Sequence, residues 1–296
     1  MILIKPKISV CVITYNHEKY IRDAIESILA QNVLNDLEIV ICDDNSNDGT
    51  YRICKSYLNK FPSIIKLYKN NNNIGAIPNW VKALELCSGE YIAICEGDDY
   101  WIDPLKLQKQ VDFLEANKEY SFCFHNTIVL FENKDHPPYL INKKTQKETL
   151  LLQDIINKWP IATASIVFKS EKLKIPSWYS SVYSGDYFLG LLLASKGPIG
   201  YIDKVMSVYR KQPTSLSYDT SISEIYRNEK LIEGFENLNQ ELEFKYEKII
   251  HNRILAVKKI NKSLKIEKKY GFLKFLSPSK MIKRILKNKN IFILKT

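Results

Sequence analysis

Three acids in four residues, Glu96-Gly97-Asp98-Asp99, follow directly on the apolar run Tyr91-Ile92-Ala93-Ile94-Cys95. Hard cations such as Mg²⁺ and Mn²⁺ take oxygen ligands, commonly one or two carboxylates together with substrate phosphates. A strand end bearing these acids suits that chemistry, although an acidic turn before a helix needs the same residue types. A second acidic end, Asp43-Asp44-Asn45-Ser46, closes the run Leu37 to Cys42. Its carboxylates could accept from ribose hydroxyls or a base edge, or form an Asx turn capping the next helix. Tyr15-Asn16 closes a third run and adds an aromatic face and an amide at the same rim.

Positioning these groups requires strands that end together. Ile8 to Ile13, Leu37 to Cys42, Ile64 to Tyr68 and Tyr91 to Cys95 are apolar runs rich in β-branched and aromatic residues, and segments with apolar residues at helical spacing separate them. Strands alternating with helices imply parallel β-α-β units, whose ligands sit outside the carboxyl ends of the strands. Asp103-Pro104 is expected to open a further helix, with Asp103 as N-cap. Beyond Tyr120 the pattern is mixed: a strand from Ser121 to Phe131, a helix near Leu151 to Ile156, a strand from Ala164 to Phe168 and a helix from Asp186 towards Ser195. Past Asp219 the chain reads as long polar helix up to Lys269.

Composition narrows the class. With 296 residues, 45% of them hydrophobic, the chain can bury a full core. Six cysteines show no CxxC pair and read as buried thiols of a reducing compartment, and four isolated histidines form no metal-ligand set. No signal peptide and no run of about 18 apolar residues is present, so a cytoplasmic protein is expected. The net charge of +10 sits entirely in the tail: residues 220–296 hold 18 basic and 8 acidic side chains, leaving 25 of each in residues 1–219. That argues against a nucleic-acid footprint on the main body.

Taken together and in order, Ile8 to Asn16, Ile39 to Ser46, Gly89 to Ile92, Glu96 to Asp99 and Ser184-Gly185-Asp186 resemble the successive motifs of the inverting family 2 glycosyltransferases. The resemblance covers roughly residues 8–210 and implies an α/β fold of GT-A type: one catalytic domain on a mostly parallel sheet with flanking helices. Its nucleotide-sugar half would span about residues 1–118 and its acceptor half about 119–219, followed by a helical basic extension, 220–296. Carried over by motif, Thr14, Tyr15 and Asn16 would line the nucleotide-sugar site. Tyr15 would meet the nucleobase, and Asp44, with Asp43 beside it, the base or ribose. Asp98 and Asp99 would meet the ribose and hold Mg²⁺ or Mn²⁺ on the diphosphate, and Arg210, after Tyr209, resembles a segment near that diphosphate. Asp186 resembles the catalytic base. Two departures stand out: Glu96, which would also line the nucleotide-sugar site, replaces the usual first Asp of the acidic motif, and Gly185 replaces an acid often found just before the base.

The residues support those assignments on chemical grounds. Displacing a nucleoside diphosphate from an anomeric carbon requires charge neutralisation on the leaving group, and a base for the acceptor hydroxyl. Asp186 stands among Tyr183, Tyr187 and Phe188, which restrict water and favour a raised carboxylate pKa; an ordinary helix cap is the plainer role. The expected activity is therefore transfer of a sugar from a nucleotide sugar, a UDP-sugar foremost, to a glycan or lipid-linked acceptor of the cell surface. A nucleotidyltransferase and a non-enzymatic basic binding module are the alternatives; the first should carry a glycine-rich phosphate loop after the first strand, where Thr14-Tyr15-Asn16-His17-Glu18 has no glycine. From Lys248 to Thr296 there are 15 basic residues and one acid, interleaved after Phe272 with apolar groups at helical spacing. This pattern predicts an amphipathic segment on an anionic membrane surface, at the inner face of the cell membrane, or one docked on the protein itself.

Overall fold

A computed structural model describes residues 6–33, 36–132, 136–143, 146–212 and 223–270. The first part alternates as expected: β1 (Ile8–Thr14), α1 (Ile21–Leu29), β2 (Leu37–Asp43), α2 (Thr50–Lys60), β3 (Ile65–Lys69), α3 (Ala76–Leu86) and β4 (Tyr91–Ile94). There follow β5 (Tyr100–Trp101), α4 (Lys106–Ala116), β6 (Phe122–Phe131), β7 (Tyr139–Leu140), β8 (Thr149–Leu150), α5 (Leu152–Ile155), β9 (Val167–Lys169), α6 (Gly185–Ala194) and β10 (Ile199–Lys211). Two long helices end the described chain, α7 (Glu224–Glu241) and α8 (Glu247–Tyr270).

One sheet runs in the order β3-β2-β1-β4-β9-β6-β10-β5, with β7 beside β6 and β8 beside β10. The strands β1 to β4 pair in parallel. The antiparallel β9 joins them to β6, and β10 then pairs parallel to β6. Every residue of β2 is buried, and all but one of β1, because helices cover both sheet faces; such strands read as continuous apolar runs rather than alternating ones. On one face, α1 buries Ile21, Ala24, Ile25 and Ile28 at helical spacing against Val10, Val12, Ile39 and Ile41. On the other, Trp80 and Leu84 of α3 join Phe122, Phe124, Phe168 and the apolar α6.

The four strands the sequence pattern did not reveal are β5, β7, β8 and β10. The first three are two residues long each. The last, Ile199–Lys211, has exposed charged residues at its centre and irregular pairing to β6 between Ile202 and Ser207, so no continuous apolar run marks it. Helix α4 begins at Lys106 rather than at Pro104; Asp103 still accepts from the Leu105 N–H (2.9 Å), but through a turn that precedes the helix. The expected single C-terminal helix is two, separated where Glu243 and Phe244 adopt positive φ. Phe235, Leu238, Ile250 and Ile254 of this pair are buried in the same core as Phe188, so the C-terminal helices are packed on α6. The six cysteines are free and five are buried. Among the described residues no helix is long and apolar enough to cross a membrane. The segment 272–296, to which the membrane expectation applies, lies outside the described residues.

Candidate active site

The loops after β1, β2 and β4 meet at one rim of the sheet. After β1, Asn16 takes a left-handed conformation (φ 55°), which asparagine tolerates, and ties this loop to the next. Its N–H donates to Ser46 Oγ (3.0 Å) and its Oδ1 accepts from the Asn47 N–H (2.9 Å). Tyr15 beside it is 39% exposed, an open aromatic face at the rim. Thr14 lies deeper, its hydroxyl buried with no hydrogen-bond partner.

The two acids after β2 are turned inward. Asp43 accepts from the Ser46 N–H (3.0 Å) and Ser46 Oγ (2.5 Å), closing the turn on itself. Asp44 accepts from Asn70 Nδ2 (2.8 Å) and from the N–H groups of Ile74 (2.9 Å) and Gly75 (2.9 Å). Both are buried. Their oxygens are occupied by the protein's own donors, so in this arrangement they shape the rim rather than present free acceptors to it.

After β4 the acidic motif divides. Gly97 passes so close to Thr14 and His17 that a Cβ would stand 2.8 Å from Thr14 Oγ1 and 2.9 Å from His17 Nδ1. Asp98 keeps its carboxylate at the rim, where Oδ2 accepts from Gln212 Nε2 (2.9 Å) and lies 4.0 Å from His17 Nε2. Asp99 is 1% exposed; its Oδ1 accepts from the Arg210 N–H (2.9 Å) and its Oδ2 is buried without a partner among the described residues. Burial, with the charges of Asp98 and Glu96 adding to it, holds the Asp99 carboxyl well above the usual carboxylate range. The sequence treats Asp98 and Asp99 as a pair of ligands; the structure leaves only Asp98 open to a bound group.

Arg210 is likewise not a free arm. It is 6% exposed, ion-paired with Asp23 and Glu132, stacked over Tyr100 (4.4 Å to the centroid) and Tyr20 (5.3 Å), and it donates to the Asp98 carbonyl (3.3 Å). Its charge is spent on acids within the fold, and its contacts fix the backbone of the acidic motif.

Asp186 lies in the first turn of α6, with Ser184 rather than Asp186 as the N-cap. Its Oδ2 accepts from Trp159 Nε1 (3.1 Å) and Thr163 Oγ1 (3.4 Å), and its Oδ1 from Ser184 Oγ (3.3 Å). Burial raises its pKa, opposed by the Tyr187 N–H and by these donors. Glu96 is close enough to sense Asp186, and Thr163 reaches it as well; burial first, then the charges of Asp98 and Asp186, push its carboxyl up to about 8. The acidic motif after β4 and Asp186 of α6, far apart in sequence, thus lie close enough for their carboxyls to influence one another. A Cβ at Gly185 would lie 2.7 Å from Ile77 Cδ1 and from Trp80 Cζ3, so an acid there would require these side chains to shift.

His17, Asp23, Trp159, Thr163 and Gln212 are the contacts that sequence reasoning missed. His17 and Gln212 are close to quoted motifs, one residue past Asn16 and two past Arg210, whereas nothing in the local sequence ties Trp159 or Thr163 to Asp186.

The donor set fits a hard divalent ion of one kind only. Among the described residues no three His, Cys, Asp or Glu side chains are placed to cage a metal, but a lone rim carboxylate is what an Mg²⁺ or Mn²⁺ shared with a diphosphate needs.

Comparison with known proteins agrees with the fold. A solved structure of S. aureus TarS residues 1–349 in complex with UDP-GlcNAc matches with a TM-score of 0.66 at 22% identity, covering 85% of this chain and 72% of that one. The mannosyltransferase PcManGT of Pyrobaculum calidifontis, in complex with GDP-Man and Mn²⁺, matches with a TM-score of 0.58 at 18% identity, covering 85% and 70%. The shared architecture is the GT-A fold. In sequence, an uncharacterized protein of Mycobacterium tuberculosis is 35% identical over 210 residues, 69% of this chain; the chain spans 58% of that relative's length. The family model described as Glycosyl transferase family 2 matches residues 9–188, more than half of the chain, and with the acidic rim built from the same stretch it establishes that this protein belongs to glycosyltransferase family 2.

Proposed function

We propose that the protein transfers a sugar from a nucleoside diphosphate sugar, a UDP-sugar foremost, to a hydroxyl of a glycan acceptor with inversion at the anomeric carbon. The observation that supports this reading is that Glu96 of the acidic motif senses the charges of both Asp98 and Asp186, so the end of β4 and the first turn of α6 belong to one neighbourhood. Chemistry at an anomeric carbon needs charge control on one side and a base on the other. Family membership also speaks against the nucleotidyltransferase and the binding module.

Asp98 would hold Mg²⁺ or Mn²⁺ together with the diphosphate, with Gln212 orienting its carboxylate. When bound, such an ion offsets the charge that develops on the leaving diphosphate. The exposed ring of Tyr15 offers a stacking face for the nucleobase; Asp43 and Asp44 act through the loops they fasten, and Arg210 by holding the acidic motif. On the acceptor side, Asp186 takes the proton of the attacking hydroxyl. The acceptor oxygen forms its bond to the anomeric carbon as the bond to the diphosphate breaks, and attack from the face opposite the leaving group would invert that carbon. Trp159, Thr163 and Ser184 hold the carboxylate in place for that transfer.

The test is Asp186→Asn. UDP titrated with Mn²⁺ should bind the variant nearly as it binds the intact protein, while sugar transfer falls by roughly 10²–10⁴-fold, the usual range for loss of a general base. A variant that retains full transfer removes Asp186 from proton transfer and leaves it a helix-terminal acid.

A further inference from the structure

Where α6 meets α7 and α8 there is a cavity of about 270 Å³ whose lining includes Trp159, Tyr183, Ser184, Tyr187, Arg227 and Arg253. It is close to the lower limit of ligand pockets, which span roughly 300–1,000 Å³, and so suits one sugar unit rather than a chain. Two of its walls also hold Asp186, since Trp159 donates to Oδ2 and Ser184 to Oδ1. The cavity is therefore one side chain away from the carboxylate to which the acceptor proton is assigned.

Its chemistry is lopsided. Rings of Trp159, Tyr183 and Tyr187 form one part, and two guanidinium groups from the C-terminal helices form the other. Arg227 lies 5.3 Å from the centroid of the Tyr183 ring. Arg253 faces the Tyr187 hydroxyl, and its Nε is buried with no hydrogen-bond partner among the described residues. Among the described residues that line the cavity there is no carboxylate. A buried Nε–H without an acceptor is costly, and the planar fork of the Arg253 guanidinium matches a phosphate or carboxylate better than any neutral group.

We infer that this cavity is an acceptor subsite selecting a sugar unit with an anionic substituent, phosphate or carboxylate, bound by Arg253 and Arg227 while a hydroxyl of the same acceptor reaches Asp186. The inference rests on the glycosyl-transfer reading and names its acceptor class. Aromatic walls take the apolar face of the ring, the arginines take the anion, and the α7–α8 pair becomes part of the substrate site rather than an appendage to it.

The experiment is ligand-observed NMR titration of the full chain with glucose 6-phosphate, glucuronate and glucose, with UDP titrated in parallel. At least one charged sugar should bind tenfold or more tightly than glucose, and which one it is distinguishes a phosphate from a carboxylate source. Arg253→Gln should lower that affinity at least tenfold, with Arg253→Lys in between because it keeps the charge and loses the fork. If circular dichroism shows Arg253→Gln unfolded, Arg227→Gln takes its place. Equal binding of charged and neutral sugars, undiminished binding by the folded variants, or UDP binding with no charged sugar bound overturns the inference alone. Failure of UDP itself to bind overturns the glycosyl-transfer reading, and the inference with it.

Discussion

Of the two aspartates that end the acidic motif, Asp98 faces the rim and Asp99 is enclosed beneath β10. Replacing each with alanine should separate two effects. Asp98→Ala should leave the melting temperature near that of the intact protein and remove the gain in UDP affinity on adding Mn²⁺. Asp99→Ala should instead lower stability by about 1–3 kcal/mol, because the buried Arg210 N–H loses its acceptor; thermal melts and calorimetric titration of both variants decide it. Lys106, the first residue of α4, poses a different question. It is fully buried, its Nζ has no hydrogen-bond partner among the described residues, and it lies 4.0 Å from the Trp101 ring centroid. Burial lowers its pKa to about 7. A lysine depressed in this way carries its full burial cost below pH 7, sheds it between pH 7 and 10.5 as only the unfolded chain stays protonated, and costs nothing above that range. Each pKa unit corresponds to about 1.4 kcal/mol and the cation–π contact returns roughly 2 kcal/mol. Lys106→Met should therefore stabilise at pH 7 by on the order of 2–3 kcal/mol, with the gain shrinking by pH 10; a gain independent of pH would mean that the ammonium is not what the site resists.

At the scale of elements, legibility followed the length of the apolar runs. The strands β1, β2 and β4 were readable because they are covered on both faces and so appear as unbroken apolar stretches ending in the polar clusters of the rim. β10 was not readable, since its middle is exposed and charged and its pairing to β6 is irregular. The same division runs through the site: Asp98, Asp186 and Tyr15 could be named from motifs, while Trp159 and Thr163 reach Asp186 only through tertiary packing across 27 and 23 residues. The sequence also could not tell an acid that faces ligand from one that fastens a loop, because Asp43, Asp44 and Asp99 are of the same type as Asp98 and differ only in what surrounds them. The α7–α8 pair belongs to this lesson. Its polar composition suggests a separate extension, yet Phe235 is fully buried against Phe188 (5.6 Å between centroids) and Tyr187 (6.0 Å). Phe235→Ala should cost about 3–5 kcal/mol and lower transfer activity along with the melting temperature. An unchanged melt would mean that the helices are dispensable to the domain.

For the whole molecule, the basic excess and the catalytic core overlap at the C-terminal helices. Phe235, Leu238, Ile250 and Ile254 anchor that region to the core, so a cut before α7 should expose apolar surface and yield insoluble protein. Removing residues 272–296 is expected to act differently: the melting temperature and UDP affinity should hold, while sedimentation with anionic vesicles falls, and falls further for the intact protein as salt is raised, since exposed charges are screened over about 8 Å at physiological ionic strength. Vesicle binding unaffected by the deletion would detach the membrane expectation from this segment.

The hydrogen bond from the Arg210 N–H to Asp99 joins residues 111 positions apart, and Gln212 reaches Asp98 across 114. During synthesis, which proceeds at roughly 5–20 residues per second, the acid-rich end of β4 thus leaves the ribosome long before the strand that orders it. A nascent chain of some two hundred residues would carry the loops after β1, β2 and β4 and still lack the backbone that turns Asp99 inward and the amide that aims Asp98. Competence for the nucleotide should therefore arrive late and abruptly, when β10 joins the sheet, and stalled chains released before that point should not be retained on an immobilised nucleoside diphosphate.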